Sequence, residues 1–309
     1  MPNENEVRDF LMSRRARIAP ESVGLPGGAG RRVPGLRRGE VAVLAGVSAE
    51  YYARIERGNL AGVTDTVLDA IARTLRFDDS ERSHLFDLAR SANLSPVRRA
   101  RTSTSGSVRP GLRFALEAMR DVVAFVQNAR LDVVAMSDLG RALYSDVVET
   151  GGDQPNFARF AFLHQDLSRR LYPDWEGAAD ISVAMLRTAA GRHPDDRGLR
   201  DLIGELATLS PEFRQKWAAH EVRLHTHGVK TFHHHAVGDV RLHFENLTPG
   251  LDSEHSLLVY AAEPGSTDAE SLQLLASWAA TRAADGARAT GVSDEMRASR
   301  PAGVDRDVP

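Results

Sequence analysis

The sequence predicts two domains, an all-α bundle followed by an α+β domain with a helical insert, and three observations carry that prediction. Up to about residue 94 the apolar residues recur at helical spacing in short runs. Residues 95–110 then hold no acid, four Arg and a Ser/Thr/Gly centre, the composition of a linker. Beyond them, strand-like runs at 122–126, 131–136, 221–247 and 256–262 bracket a long helical region. A chain of 309 residues, 42% hydrophobic and 26% charged, is long enough for two cores of ordinary size.

Each element follows in chain order. Val7, Phe10 and Leu11 put an apolar stripe on a first helix that runs into Ser13-Arg14-Arg15-Ala16-Arg17. Pro20, Pro26, Gly27, Gly28, Gly30, Pro34 and Gly35 mark a long loop. Helical periodicity returns at Val41, Leu44 and Ala45, pauses at Gly46, resumes with Tyr52 and Ile55, and stops at Gly58. Two helices follow, near Thr66–Leu75 and Ser80–Ala92, and all five share one small core. After the linker come a helix at Leu112–Met119, two strands, helices through 156–218, the late strands, and a last helix at Ala269–Ala284. The Gly/Ala/Asp/Arg/Pro stretch from Gly286 to Pro309 has little to bury and reads as a disordered tail. The expected boundaries are therefore 1–94, 95–110 (linker), 111–285 and 286–309, with halves that fold independently.

Composition removes several function classes. With no Cys, disulfides, thiolate zinc sites, iron–sulfur clusters and Cys nucleophiles are excluded, and any metal falls to His, Asp or Glu. No window approaches the ~18 apolar residues of a membrane span, and the start lacks a secretory profile, so a soluble cytoplasmic protein with no membrane partner is expected. The net charge is −3, yet residues 14–57 carry nine Arg against Glu21, Glu40, Glu50 and Glu56. A cationic module on an acidic body is the footprint of a nucleic-acid reader. Only Lys216 and Lys230 among the 39 basic residues are Lys, a bias that a GC-rich genome also produces.

The segment from Arg38 to Gly58 meets the demands of a helix-turn-helix. Ala42 is small where the helices approach, Gly46 fits the turn, Val47, Tyr52 and Ile55 face inward, and Ser48 suits the N-cap of the second helix. Residues 5–92 resemble the Cro/repressor (XRE) class, whose second helix ends in a similar Leu/Ile-Glu-x-Gly. The resemblance implies operator DNA as partner, with Ala49, Glu50 and Arg54 at base edges and Arg38 as a phosphate donor. Arg54 suits guanine and Glu50 suits cytosine; alternatively the two, four apart, pair on a solvated face. Tyr51 either reaches a phosphate or covers the turn. Gly39 weakens the first helix of the pair.

Further matches span nearly the whole chain. Arg31–Arg38 and Val47–Tyr52, then Leu171–Trp175, Gly191–Asp196, Leu209–Phe213, Trp217–Val222 and Ala262–Gly265 together resemble the MmyB-like regulators, named after the methylenomycin gene cluster. The resemblance implies an all-α Cro/repressor-like helix-turn-helix bundle followed by an α+β PAS-like ligand-binding domain with a helical insert. It also implies a homodimer and a long-chain fatty acid or similar apolar acid as ligand. A ligand carboxylate needs a cation or polar donors; the candidates are Arg192, His220 and His234, with Asn156 and Arg159 behind them. Arg192 alternatively pairs with Asp195 or Asp196. The family usually has His-Pro where this chain has His234-His235, which frees the backbone there.

Eight of eleven His lie between 220 and 255, which raises a rival reading, a cupin-like metal-dependent enzyme carrying a DNA-binding module. No carboxylate follows His225-Thr226-His227 at the spacing such a site uses, and no nucleophile elbow, Walker or Rossmann pattern is present. The expectation is a regulator that is not an enzyme and uses no cofactor or metal, active at the nucleoid. A non-catalytic protein-interaction module is the remaining alternative.

Overall fold

Short amphipathic stretches punctuated by Gly and Pro fold into the first helical bundle of the computed structural model, which describes residues 2–26, 31, 33, 35–93, 108–219, 226–248 and 255–298. Helix α1 spans Pro2–Arg17 and buries Val7, Phe10 and Leu11, an i, i+3, i+4 face. The loop after it contributes a 3₁₀ turn at Pro20–Val23. Then come α2 (Arg38–Leu44), α3 (Ala49–Glu56), α4 (Asp65–Thr74) and α5 (Asp79–Asn93). Val41, Ala42, Tyr52, Ile55, Leu68, Ile71 and Leu85 meet in one core.

Two glycines permit this packing. Gly46 turns the chain between α2 and α3 at φ +69°. Gly58 ends the turn after α3 at φ +101°, and a Cβ there would lie 2.3 Å from Glu4 Cα, so α1 approaches the end of α3 only because that position has no side chain. The poor helix former Gly39 is offset nearby. Glu40 accepts a hydrogen bond from Arg37 N at 2.7 Å and a fork from Arg31 at 2.6 and 2.9 Å, which ties the loop to the first turn of α2.

The second domain begins with α6 (Pro110–Ala118), β1 (Val123–Asn128) and β2 (Val133–Met136). Seven helices follow: α7 (Asp138–Leu143), α8 (Ser145–Gly151), α9 (Phe157–Leu163), α10 (Gln165–Leu171), α11 (Trp175–Arg192), α12 (Arg197–Leu209) and α13 (Pro211–Ala218). The chain closes with β3 (His227–His234), β4 (Gly238–Leu247), β5 (His255–Ala261) and α14 (Thr267–Ala298). The five strands form one antiparallel sheet in the order β2-β1-β5-β4-β3.

Period-2 alternation sorts the side chains of this sheet. Val123, Phe125, Phe232, Val240, Leu242, Leu258 and Tyr260 face the insert helices. Ala124, Val126 and Leu257 face Leu116 of α6 and Val108 on the other side. Among the described residues no helix is long and apolar enough to cross a membrane.

Three expectations change. Residues 138–151, between the early strands and the expected helical region, are themselves helical. The late strand run is a hairpin, β3 to β4, with residues 220–225 outside the described set. The last helix runs to Ala298 rather than stopping near 284, so residues 286–298 are helix and not tail. Their Ala, Arg, Glu and Met content favours helix despite Gly286 and Gly291. Most of the expected linker, residues 95–107 of 95–110, and the end of the tail, 299–309, lie outside the described residues.

Candidate functional site

The surface of α3 is organised from beneath by one buried carboxylate. Glu56, 1% exposed, accepts Arg15 Nε and Nη2 at 3.0 and 3.2 Å and Arg38 Nε at 2.8 Å, while Arg15 Nη1 reaches Leu36 O at 2.6 Å. That network fastens α1 and the start of α2 to α3, and leaves Arg38 half exposed. Ser48 caps α3, its hydroxyl accepting from Tyr51 N at 3.1 Å. Ala49 and Glu50 are exposed. Arg54 is not paired with Glu50; its guanidinium lies over the Tyr51 ring, 4.8 Å from the centroid, a stacked arrangement that limits its rotamers.

In the second domain the inner face of the sheet and α11 line a small, partly open cavity of about 40 Å³. Ala178, Ile181, Ser182 and Met185 of α11 form one wall; Phe125, Gln127, Lys230, Leu258 and Tyr260 of the sheet form the other. Tyr144, Phe157 and Tyr172 close its sides, with Tyr144 edge-on to Phe232 at 5.7 Å. Burial pushes the phenols of Tyr144, Tyr172 and Tyr260 well above their usual range. Burial likewise lowers the Lys230 ammonium to about 8, against the pull of Asp174. Two larger hollows lie on the surface. One, of about 610 Å³, runs between α7, α8 and α14 and includes Arg120, Arg141 and Trp278; the other, of about 310 Å³, is bordered by Asp146, Arg170 and His233–His235.

The residues proposed from sequence as ligand contacts are dispersed. Asn156 is buried and clips the β1–β2 turn, donating to Arg130 O and Asp132 Oδ1, each at 2.8 Å, and capping α9 through Arg159 N. It thereby holds Leu131 at φ +63°, a left-handed value that costs a branched residue energy. Arg159 forks onto Glu205 of α12. His234 is buried; it accepts from Ala236 N at 3.2 Å and donates through Nε2 to Ala142 O, which assigns the neutral Nε2–H tautomer, and burial lowers its pKa. His220 lies outside the described residues, as does His225. Among the described residues no group of three His, Asp or Glu is placed to hold a metal.

Arg192 has a carboxylate partner far from it in sequence. It reaches Asp87 of α5, across the domain boundary, with Nε 2.8 Å from Oδ2. Beside it Arg187, fully buried, donates to both carboxylate oxygens of Glu6 in α1 at 2.9 and 3.0 Å and to Trp217 O, and its guanidinium stacks over the Trp217 ring at 4.4 Å. The buried His84 ring completes the cluster, Nε2 3.7 Å from Glu6, and edges onto Phe10. Burial raises the Glu6 carboxyl, but His84 and Arg187 more than offset it and hold the pKa below 4.5. Gly191 lets the helices touch: a Cβ there would lie 2.7 Å from a methyl of Leu88 in α5.

A family model described as the MmyB-like transcription regulator ligand binding domain matches residues 108–275, more than half of the chain. The chain belongs to the MmyB-like transcription regulators. A helix-turn-helix domain model matches residues 11–85 of this MmyB-like regulator, covering α2 and α3. Among curated proteins none matches it. The two matches make it a ligand-responsive regulator with a DNA-binding domain and a domain for a small molecule. Its α11 belongs to both parts of the molecule. Met185 lines the cavity, and Arg187, two residues on, is clamped to the first domain.

Sequence reasoning missed Lys230 and Gln127 as cavity residues, and Arg187 altogether. Lys230 carried a signal: one of two Lys in an Arg-dominated chain, it alternates in phase with Phe232 on an apolar strand face.

Proposed function

We propose that this MmyB-like regulator binds operator DNA as a homodimer, in the cytoplasm at the nucleoid, and that a long-chain apolar acid held under α11 of a PAS-like domain alters operator affinity. The observation that carries the reading is the double role of α11. A long acyl chain needs far more than about 40 Å³, since ligand pockets start near ~300 Å³. Seating such a chain therefore parts α11 from the sheet, and α11 cannot shift without disturbing the Arg187–Glu6 and Arg192–Asp87 contacts. The five-stranded antiparallel sheet with helices inserted between β2 and β3 supports the PAS-like assignment. One helix-turn-helix reads one half-site, which favours a dimer.

On the DNA side, Ala49, Glu50 and Arg54 read base edges, Tyr51 orients Arg54, Ser48 fixes the start of α3, and Arg38 holds a phosphate. Arg54→Ala is then expected to cost about 1–3 kcal/mol on the selected site and to relax preference at one base pair. Arg38→Ala is expected to weaken all duplexes alike and flatten the salt slope by about one unit. Binding to duplexes selected from a random pool, titrated with salt, checks both. Equal weakening on all sequences by Arg54→Ala removes the base-reading role. Native mass spectrometry with lipid extraction tests the ligand: a copurifying or added fatty acid bound to the second domain supports the reading, and no binding at any chain length overturns it.

A further inference from the structure

Among the described residues, Lys230 is the single charged side chain in the wall of the cavity beneath α11. Its strand neighbour on β4 is Leu242, and it shares a sheet face with Phe232. No hydrogen bond or ion pair among the described residues satisfies its three donors. The ammonium instead lies 4.2 Å from the Tyr172 ring centre and 5.6 Å from that of Phe232. Gln127, 3% exposed on β1, opens on the same cavity, and its side-chain amide has no hydrogen bond among the described residues. Lys230 is half-buried and the hollow is partly open, so the two polar groups stand side by side in an otherwise aromatic and apolar wall, within reach of an acceptor that enters it.

We propose that Lys230, assisted by the Gln127 amide, anchors the acid head of the ligand. The inference rests on the reading of the cavity as the apolar-acid site and adds the residues that hold the head group. One ammonium balances one negative charge. A phosphate monoester, with ~1.5 to 2 charges, would leave charge uncompensated in the enclosure. The charged form of Lys230 is fully present well below pH 8 and is lost above it. The other titratable groups around it are Asp174 at the start of α11 and the phenols of Tyr144, Tyr172 and Tyr260, and α10, which packs against β3, carries Asp166, Arg169 and Arg170. Asp174 favours the charged lysine, Arg169 lies over Trp175, and Arg170 borders the hollow at His233–His235.

The test uses delipidated full-length protein, with dodecanoate and 1-dodecanol as probes, for the wild type and for Lys230→Met. Dodecanoate affinity is expected to fall about ten- to hundredfold in Lys230→Met, the loss of a charge-assisted contact, while dodecanol affinity stays within about twofold. In the wild type dodecanoate binding is expected to weaken between pH 7 and 9.5, and dodecanol binding to stay constant. Equal probe affinities in both proteins overturn the head-group assignment and leave the apolar-ligand reading standing. No binding of either probe to the wild type overturns both. If Lys230→Met loses both probes, the wild-type pH series decides, and a flat dodecanoate profile overturns the assignment.

Discussion

Glu56→Ala is expected to destabilise the first domain by about 3–5 kcal/mol, the cost of stranding a buried guanidinium without its carboxylate. Most of the loss comes from Arg15, which is 12% exposed; Arg38, half exposed, is screened by water and contributes less. A domain of this size has only ~5–15 kcal/mol in hand, so the variant stands close to unfolding. Urea unfolding separates the two domains, because Trp175, Trp217 and Trp278 all lie in the second. The far-UV dichroism transition is expected to move to lower urea and to separate from the tryptophan transition, in which only Trp217, stacked under Arg187 at the domain contact, follows the first domain. A dichroism transition that does not move would remove Glu56 from its role. Glu56→Gln, which keeps the shape and one acceptor, is expected to fall between the two.

Arg187→Ala is expected to undock the domains. It deletes a fully buried guanidinium and leaves the Glu6 carboxylate enclosed without its cation, again a loss of about 3–5 kcal/mol. Trp217 emission should shift, since the stacked guanidinium and the donor to its carbonyl both disappear. Arg187→Lys should rescue poorly, because an ammonium cannot fork onto Glu6 and reach Trp217 O together. Acid should act in the same direction. Glu6 has a depressed pKa when folded, so its contribution to docking is complete above the free value of 4.5 and lost as pH falls through the lowered value. Unchanged Trp217 emission in Arg187→Ala would contradict the clamp.

The helix-turn-helix was legible in the sequence because its determinants are local. Ala42, Gly46, Ser48, Tyr52, Ile55 and Gly58 fall at fixed spacings, and each has the role its chemistry suggests. Glu56 was visible only as part of a terminal motif; that it pins Arg15, 41 positions away, is a property of the fold. The α+β pattern of the second domain was also readable from periodicity, whereas short apolar helices such as α7 carry too few turns to show a period. Asn156, Arg159 and Arg192 were picked as polar residues in matched segments, and each turned out to have a carboxylate partner: Asp132, Glu205 and Asp87. Those partners lie 24, 46 and 105 positions away, beyond any local pattern. The reading of independent halves failed to anticipate the domain contact for the same reason. Two separate cores exist, but a buried arginine of one is satisfied by a glutamate of the other.

Coupling between cavity and operator is a single free energy and must be reciprocal. Delipidated wild-type protein should therefore be titrated with operator in the absence and presence of saturating dodecanoate, and with dodecanoate in the absence and presence of operator. Both affinities are expected to shift by the same factor, roughly 5–150-fold, and Arg187→Ala is expected to reduce that factor to one while both ligands still bind. Identical operator affinities with dodecanoate bound under α11 would contradict the role assigned to that helix.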